Sequence, residues 1–139
     1  MSTAVSARLA RQHRLSDDPP LSLRAVIYEA VLRNFPGSSA TARGQLEELA
    51  KAAELPNVSL RIFPFTAGTH SGLNGSFNII SFAAPGAMDV VYVEAPFAQR
   101  WAEGGEAAAA YDELFEMVTE RSLGERDSAS FLHKLRKEL

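Results

Sequence analysis

Apolar and polar residues alternate in three short bursts between Val58 and Ala95, and Gly, Pro, Asn and Asp separate the bursts. The bursts begin at Val58, Phe77 and Val90. Alternation with a period of two is typical of strands that bury one face, and the intervening residue types favour turns. The pattern therefore predicts three consecutive strands that form an antiparallel meander.

A further strand is predicted upstream, where residues 21–30 alternate in the same way. The turn at residues 34–39 leads into residues 42–53, which repeat apolar positions at helical spacing, and Pro56 follows them. A strand, a helix and a strand in this order form a βαβ unit with a right-handed crossover. We therefore expect the strands at 21–30 and 58–64 to pair in parallel.

Helices are predicted on both sides of this core. Residues 4–15 favour a short helix that ends before Asp-Asp-Pro-Pro, because proline lacks an N–H donor and disfavours helix at the residue before it. Residues 106–122 and the segment after Gly124 repeat apolar positions at helical spacing, and residues 96–105 between strand and helix favour a turn or a short helix. We expect the C-terminal helices to cover the sheet.

Together these elements predict an α/β fold, with a mixed sheet of about four strands, one βαβ crossover, a three-strand meander and covering C-terminal helices. The chain has 139 residues, of which 46% are hydrophobic and 22% charged, as in ordinary globular proteins. We predict a single domain over residues 1–139. Its parts are an N-terminal helix and linker at 1–20, a core at 21–95 and a helical tail at 96–139.

Charge and composition argue against several classes of function. A net charge of -3 and a pI of about 5.6 disfavour direct nucleic-acid binding, because such binding depends on neutralising phosphates. The absence of cysteine excludes disulfides, zinc ribbons and a thiol nucleophile. No segment has the apolar length of a signal peptide or a membrane span, so we expect a cytoplasmic protein without membrane contact.

Arginines recur every third residue in the N-terminal helix, at Arg8, Arg11 and Arg14. A basic stripe of this kind can contact phosphate, but it is more often a solvated face. We interpret it as a solvated face or as a docking surface left open for a partner segment. The apolar seam of the last helix favours packing against the body or a second copy, and we predict a homodimer.

Three polar residues are expected at one edge of the predicted sheet. Glu29 lies at the end of the first strand, His70 in the loop after the second, and Glu94 at the end of the fourth. These three strands are predicted to point in the same direction, and open α/β sheets bind ligands at the carboxyl ends of their strands. We therefore expect the trio to converge on one rim.

The trio has three interpretations. It can be an acid/base set, with two carboxylates of different pKa and an imidazole near neutrality. It can hold a divalent metal ion, although the sequence has no motif with diagnostic spacing. In the interpretation that we prefer, the three are ordinary polar residues and Glu94 pairs with Arg100 or Arg24. We predict no cofactor and no metal.

Several segments occur in a characteristic order over about residues 8–95. They are RLARQHRL followed by DDPP, IYEAVLR, GQLEELAKAAELPNVSLRIFPF, GTHSGLNGSFNIISF and DVVYVEA. The ordered set resembles a C-terminal domain of unknown function that follows the helix-turn-helix of Xre-type, Scr-type antitoxin-like bacterial transcriptional regulators. The resemblance implies a sensor pocket or a protein-contact surface, and the family's recurrent polar positions correspond to Glu29, Gln45, His70, Tyr92 and Glu94.

Two features depart from that family. The sequence contains neither the helix-turn-helix nor the segment that normally precedes the ARLARQ helix, so we expect no direct nucleic-acid recognition by these residues. After DVVYVEA, the stretch PFAQRWAEGGEAAAAYDELF differs from the usual pattern and introduces Arg100 and Trp101.

These observations predict a ligand-sensing or protein-interaction domain related to antitoxin-like regulators, without its own DNA-binding head. Its partner is expected to be a small molecule or another protein. The candidate ligand-binding residues are Tyr92, Asn74, Arg100, Trp101 and Gln45. The alternative is a small cofactor-free enzyme, with acid/base or cyclisation-type chemistry in a rim pocket formed by Glu29, His70 and Glu94.

Overall fold

The computed structural model describes residues 2–68 and 75–139. The chain divides into two compact units: residues 1–65 together with 123–139 form the first unit, and residues 66–122 form the second. The helices and strands, in chain order, are α1 (Thr3–Gln12), β1 (Leu23–Tyr28), α2 (Glu29–Leu32), α3 (Ser39–Ala53), β2 (Val58–Phe63), β3 (Phe77–Ile80), β4 (Val90–Ala95), β5 (Ala98–Glu103), α4 (Gly105–Arg121) and α5 (Glu125–Lys137).

The predicted βαβ arrangement forms the centre of the first unit. β1 and β2 pair in parallel, in a register that sets Leu23 opposite Val58. α2 and α3 lie between them in the chain, and α3 begins where Ser38 Oγ accepts a hydrogen bond from the N–H of Thr41 over 3.2 Å. The parallel pairing predicted from the intervening helix is confirmed.

Alternate residues of β2 form the core of the first unit. Val58, Leu60 and Ile62 are buried and cluster with Leu46 of α3 and Leu132 of α5. Strand geometry places the three β2 residues on one face of the sheet, and full burial of a side chain such as Ile62 contributes about 1.5–3 kcal/mol. This face of the sheet is therefore the one that α3 and α5 cover.

The chain around the start of α5 closes the second edge of β2. The N–H of Leu123 donates to the carbonyl oxygen of Ile62, and the N–H of Ile62 donates to Ser128 Oγ, each over 2.9 Å. Ser128 is only 1% exposed, and its hydroxyl also donates to the carbonyl oxygen of Leu123 over 3.2 Å. At Ile62, the two backbone groups that would pair with a third strand are thus already satisfied.

The second unit is a three-stranded antiparallel sheet packed on α4. β4 lies in the centre, between β3 and β5. Val91 of β4 is buried together with Ala108 and Val118 of α4. The ring of Phe77 on β3 lies 5.1 Å from that of Tyr111 on α4, measured between centroids. The face of the sheet that carries Phe77 and Val91 is therefore the face that α4 covers.

The α/β fold class is confirmed, but the structure corrects two details of the sheet. The strands form two sheets rather than one mixed sheet. At Ile62, the edge of β2 that does not pair with β1 bonds to the segment around α5 and not to β3. The meander consists of β3, β4 and β5. Its third strand, Ala98–Glu103, occupies a segment predicted as a turn or short helix, and Pro96 and Phe97 connect it to β4.

Candidate functional site

The sheet of the second unit has a face opposite the one that α4 covers, which we name the outer face. Side chains alternate between the two faces along each strand, and Phe77 and Val91 belong to the α4 side. Three rows of residues cross the outer face: Asn78, Tyr92 and Trp101 in the centre, Ile80, Val90 and Glu103 on one side, and Glu94 with Gln99 on the other.

Tyr92 and Trp101 form an aromatic pair in the central row. They lie opposite each other on β4 and β5, with ring centroids 4.4 Å apart and ring planes inclined by 39°. Trp101 nevertheless remains 62% exposed, whereas Tyr92 is half-buried. Such a pair contributes about 0.5–1.5 kcal/mol to stability beyond the burial of its surface. The contact therefore fixes both rings, and the indole stays open to solvent.

Two carboxylates give the outer face an acidic character. Glu94 and Glu103 are both exposed and lie in the two flanking rows. Within residues 2–68 and 75–139, neither carboxylate makes an ion pair. Arg100 lies opposite Val93, which places it on the α4 side of the sheet and away from Glu94. The predicted pairing of Glu94 with Arg100 or Arg24 is therefore not found among the described residues, and the outer face presents negative charge.

Glu29 has a different environment, at the first turn of α2. β1 ends at Tyr28, and Glu29 is 7% exposed. It accepts a hydrogen bond from Arg33 Nε over 2.7 Å and another from the N–H of Phe65 over 2.9 Å. Arg33 also contacts Glu138 over 3.4 Å. One carboxylate oxygen thus ties α2 to the segment after β2, and the other bonds to Arg33 at the end of α2 itself.

This network also affects the protonation of Arg33. The hydrogen bond that Arg33 donates to Glu29 raises the pKa of the guanidinium, and the nearby charges of Glu29 and Glu138 act in the same direction, whereas partial burial lowers it. Arg33 additionally lies over the ring of Phe131, 5.8 Å from its centroid. The buried carboxylate therefore always faces a cation.

The predicted rim of Glu29, His70 and Glu94 rested on a single sheet, and that premise is corrected by the two-sheet arrangement. Glu29 belongs to the first unit and Glu94 to the second, while His70 lies outside the described residues. Convergence of the three side chains stays a prediction. In the described part of the chain, no group of three His, Cys, Asp or Glu residues is arranged to hold a metal ion.

The other candidate residues are distributed over both units. The structure brings Tyr92 and Trp101 together and places Glu94 on the same face. Gln45 is exposed on α3 of the first unit, and Asn74 lies outside the described residues. Sequence reasoning did not select Ile80 and Glu103 of the outer face. The alternation of the strand that begins at Phe77 could have placed Ile80 on this face. Glu103 could not have been placed, because it belongs to β5, a strand that the sequence pattern did not predict.

The first unit contains a cleft of about 330 Å³ beside the start of α3. Apolar residues including Leu32, Phe35 and Leu135 line it, with Arg33 and Glu138 among its polar residues. Since these two charged side chains already pair with each other, the cleft offers no unpaired charged side chain to a ligand. It is a weaker candidate than the outer face.

Fold and surface together define the class of this molecule: a small α/β domain whose candidate site is an open, aromatic and acidic sheet face. A family model described as a domain of unknown function (DUF5753) matches residues 1–134, and the chain belongs to this family. No curated protein and no solved structure gives a significant match to the chain. Among the described helices, none has the length and apolar character needed to cross a membrane.

Proposed function

We propose that this chain is a protein-interaction domain and that the outer face binds the partner. The observation that carries the proposal is the Tyr92 and Trp101 pair, which sits in the central row of the face and leaves the indole 62% exposed. Tyrosine and tryptophan are enriched among residues that dominate the binding energy of protein interfaces. Ile80 and Val90 extend the apolar surface beside them.

The shape of the outer face favours an α-helix as the bound element. Three strands about 4.8 Å apart span roughly 10 Å, which is about the diameter of a helix with its side chains. Small-molecule sites, in contrast, are concave and enclose most of the ligand. Glu94 and Glu103 on the flanking rows favour a helix that carries basic residues beside an apolar stripe.

We propose that the domain acts in transcriptional regulation, in the cytoplasm and as a homodimer, and the resemblance to antitoxin-like regulators supports the regulatory role. In that role the domain contacts protein and leaves DNA to other segments, because its net charge is -3 and its candidate face is acidic. The alternative of a cofactor-free enzyme has less support. Glu29, one of its three proposed catalytic residues, uses both carboxylate oxygens in hydrogen bonds within the first unit.

The proposal is tested with a synthetic amphipathic helix made of leucine and lysine. Trp101 is the only tryptophan of the chain, so its fluorescence emission should shift to shorter wavelength as the peptide binds. We expect saturable binding that weakens about tenfold or more in Trp101→Ala or Tyr92→Ala, measured by calorimetry. A peptide of the same composition without helical periodicity should bind more weakly.

The matched control is Phe65→Ala in the first unit, because the Phe65 side chain is 61% exposed, as much as Trp101. Its bond to Glu29 uses the backbone N–H and survives the substitution. Equal peptide affinity in wild type, Trp101→Ala and Phe65→Ala would show that the peptide binds elsewhere. That result would contradict the proposal.

A further inference from the structure

α1 is a formed amphipathic helix that buries none of its residues. Ser2 Oγ accepts a hydrogen bond from the N–H of Val5 over 3.2 Å and caps its start. Val5 and Leu9 lie on one side of the helix, four residues apart, and are 43% and 42% exposed. Helices of ten residues are marginal in water unless an apolar face packs against something.

α1 carries positive charge, with Arg8 beside the apolar stripe and Arg11 farther round the helix, toward the side opposite Val5 and Leu9. Arg8 and Arg11 are exposed, and neither makes an ion pair within the described part of the chain. Arg14, just after the helix, pairs with Asp17 over 3.3 Å. α1 therefore offers the two features that the outer face favours in a partner, namely an apolar stripe and free basic groups.

We propose that α1 of one copy of this chain docks on the outer face of a second copy. The proposal rests on the proposed function of that face and names its occupant. Val5 and Leu9 would cover the apolar surface around Trp101, and the positive charge of α1 would be attracted by the acidic rows that contain Glu94 and Glu103. A second copy is the occupant because α1 buries no residue within its own chain.

The dimensions of the two elements agree. The ten residues of α1 extend about 15 Å. Along β4, the four-residue step from Val90 to Glu94 covers about 14 Å, and Glu103 lies opposite Val90. The helix is thus as long as the stretch of sheet that separates the two acidic rows.

A reciprocal dimer doubles the contact. In a dimer with twofold symmetry, each copy donates α1 and presents an outer face, so the same contact forms twice. One helix of this length buries too little surface for a stable interface, which typically needs about 1,200–2,000 Å² in total. We therefore expect both contacts to form together, in a dimer that weakens as the salt concentration rises.

Charge exchange between two variants provides the test. The first variant is Arg8→Glu with Arg11→Glu, and the second is Glu94→Arg with Glu103→Arg. In each variant alone, α1 and the outer face carry charges of the same sign, so two copies repel each other at both contacts. Each variant alone should therefore be monomeric by sedimentation velocity at a concentration where wild type is dimeric. In a mixture, the acidic helix meets the basic face and the unchanged helix meets the unchanged face, so the mixed dimer should form.

The proposal would be overturned if each of the two variants still dimerised alone, or if their mixture stayed monomeric. A wild-type chain that is monomeric at all accessible concentrations would do the same, because α1 would then not dock in trans. Leu9→Ala should raise the dimer dissociation constant about tenfold, whereas Leu55→Ala, at a similarly exposed apolar residue after α3, should leave it unchanged.

The two proposals fail in distinguishable ways. If the leucine and lysine peptide binds the wild-type outer face but the chain does not dimerise through α1, only the identity of the occupant is wrong. If the peptide shows no dependence on Trp101, the outer face is not a binding surface, and any dimer must form through other residues.

Discussion

Replacement of Glu29 by glutamine removes the charge of a buried carboxylate and keeps its size. In the wild type, the two oxygens accept hydrogen bonds from Arg33 Nε and from the N–H of Phe65. Glutamine keeps one carbonyl oxygen, so one bond can be retained while the other oxygen is replaced by an NH₂ group that cannot accept. We expect Glu29→Gln to lower the free energy of unfolding, and Glu29→Ala to lower it further.

The magnitude follows from the exposure of each contact. A hydrogen bond to a charged group contributes about 1.5–3 kcal/mol when buried. The Arg33 side chain is 39% exposed, so solvent screening reduces its share to about 1 kcal/mol or less. Glu29→Gln should therefore cost about 1–2 kcal/mol. Glu29→Ala also leaves the N–H of Phe65 without its acceptor and should cost about 2–4 kcal/mol.

Urea unfolding followed by far-ultraviolet circular dichroism measures these differences. The control is Glu138→Gln, which changes the other carboxylate that Arg33 contacts, at 3.4 Å and with its side chain 50% exposed. We expect that control to lose no more than about 0.5 kcal/mol. An unfolding free energy of Glu29→Ala within about 0.5 kcal/mol of wild type would refute the reasoning, because the carboxylate would then not stabilise the first unit.

Two further predictions concern the same unit. Ser128→Ala removes the acceptor of the Ile62 N–H in a fully buried position. We expect the free energy of unfolding in urea to fall by about 1–3 kcal/mol. Ser130→Ala, on the exposed side of α5, is the neutral control. Burial raises the pKa of Tyr28 above 10.0. The neutral Tyr28 side chain should stabilise the fold fully below pH 10.0, and this stabilisation should disappear as the pH rises through the raised pKa. In Tyr28→Phe, the free energy of unfolding should therefore fall less steeply as the pH rises in the alkaline range.

Sequence patterns predicted the strands that bury one apolar face. β2 alternates Val58, Leu60 and Ile62 with polar residues, and these three side chains are buried as the alternation indicates. β5 escaped prediction because two of the three positions on its α4 side, Ala98 and Ala102, are alanine, which is depleted in strands. Its pairing depends on β4, to which a two-residue connection joins it.

The division into two sheets was not predictable from local patterns. At Ile62, the edge of β2 is bonded to Ser128, a residue that lies 66 positions further along the chain. An alternating segment shows which face of a strand is buried, but it does not show which segment occupies the strand's edge. β2 followed by β3 therefore looked like a continuous meander in the sequence.

Glu29 and Glu94 show why the same limit applies to the candidate site. Both were selected as carboxylates at the ends of predicted strands, yet Glu29 is buried with both oxygens bonded and Glu94 is exposed on the outer face. A carboxylate that already accepts bonds from Arg33 and Phe65 must break them before it can bind anything else, at a free-energy cost similar to that expected for Glu29→Ala. Glu94 has no such contact to give up within the described residues, and it lies one row from the exposed Trp101. Glu94 is therefore the better candidate for a binding residue, although both glutamates were predicted at the same place, the end of a strand.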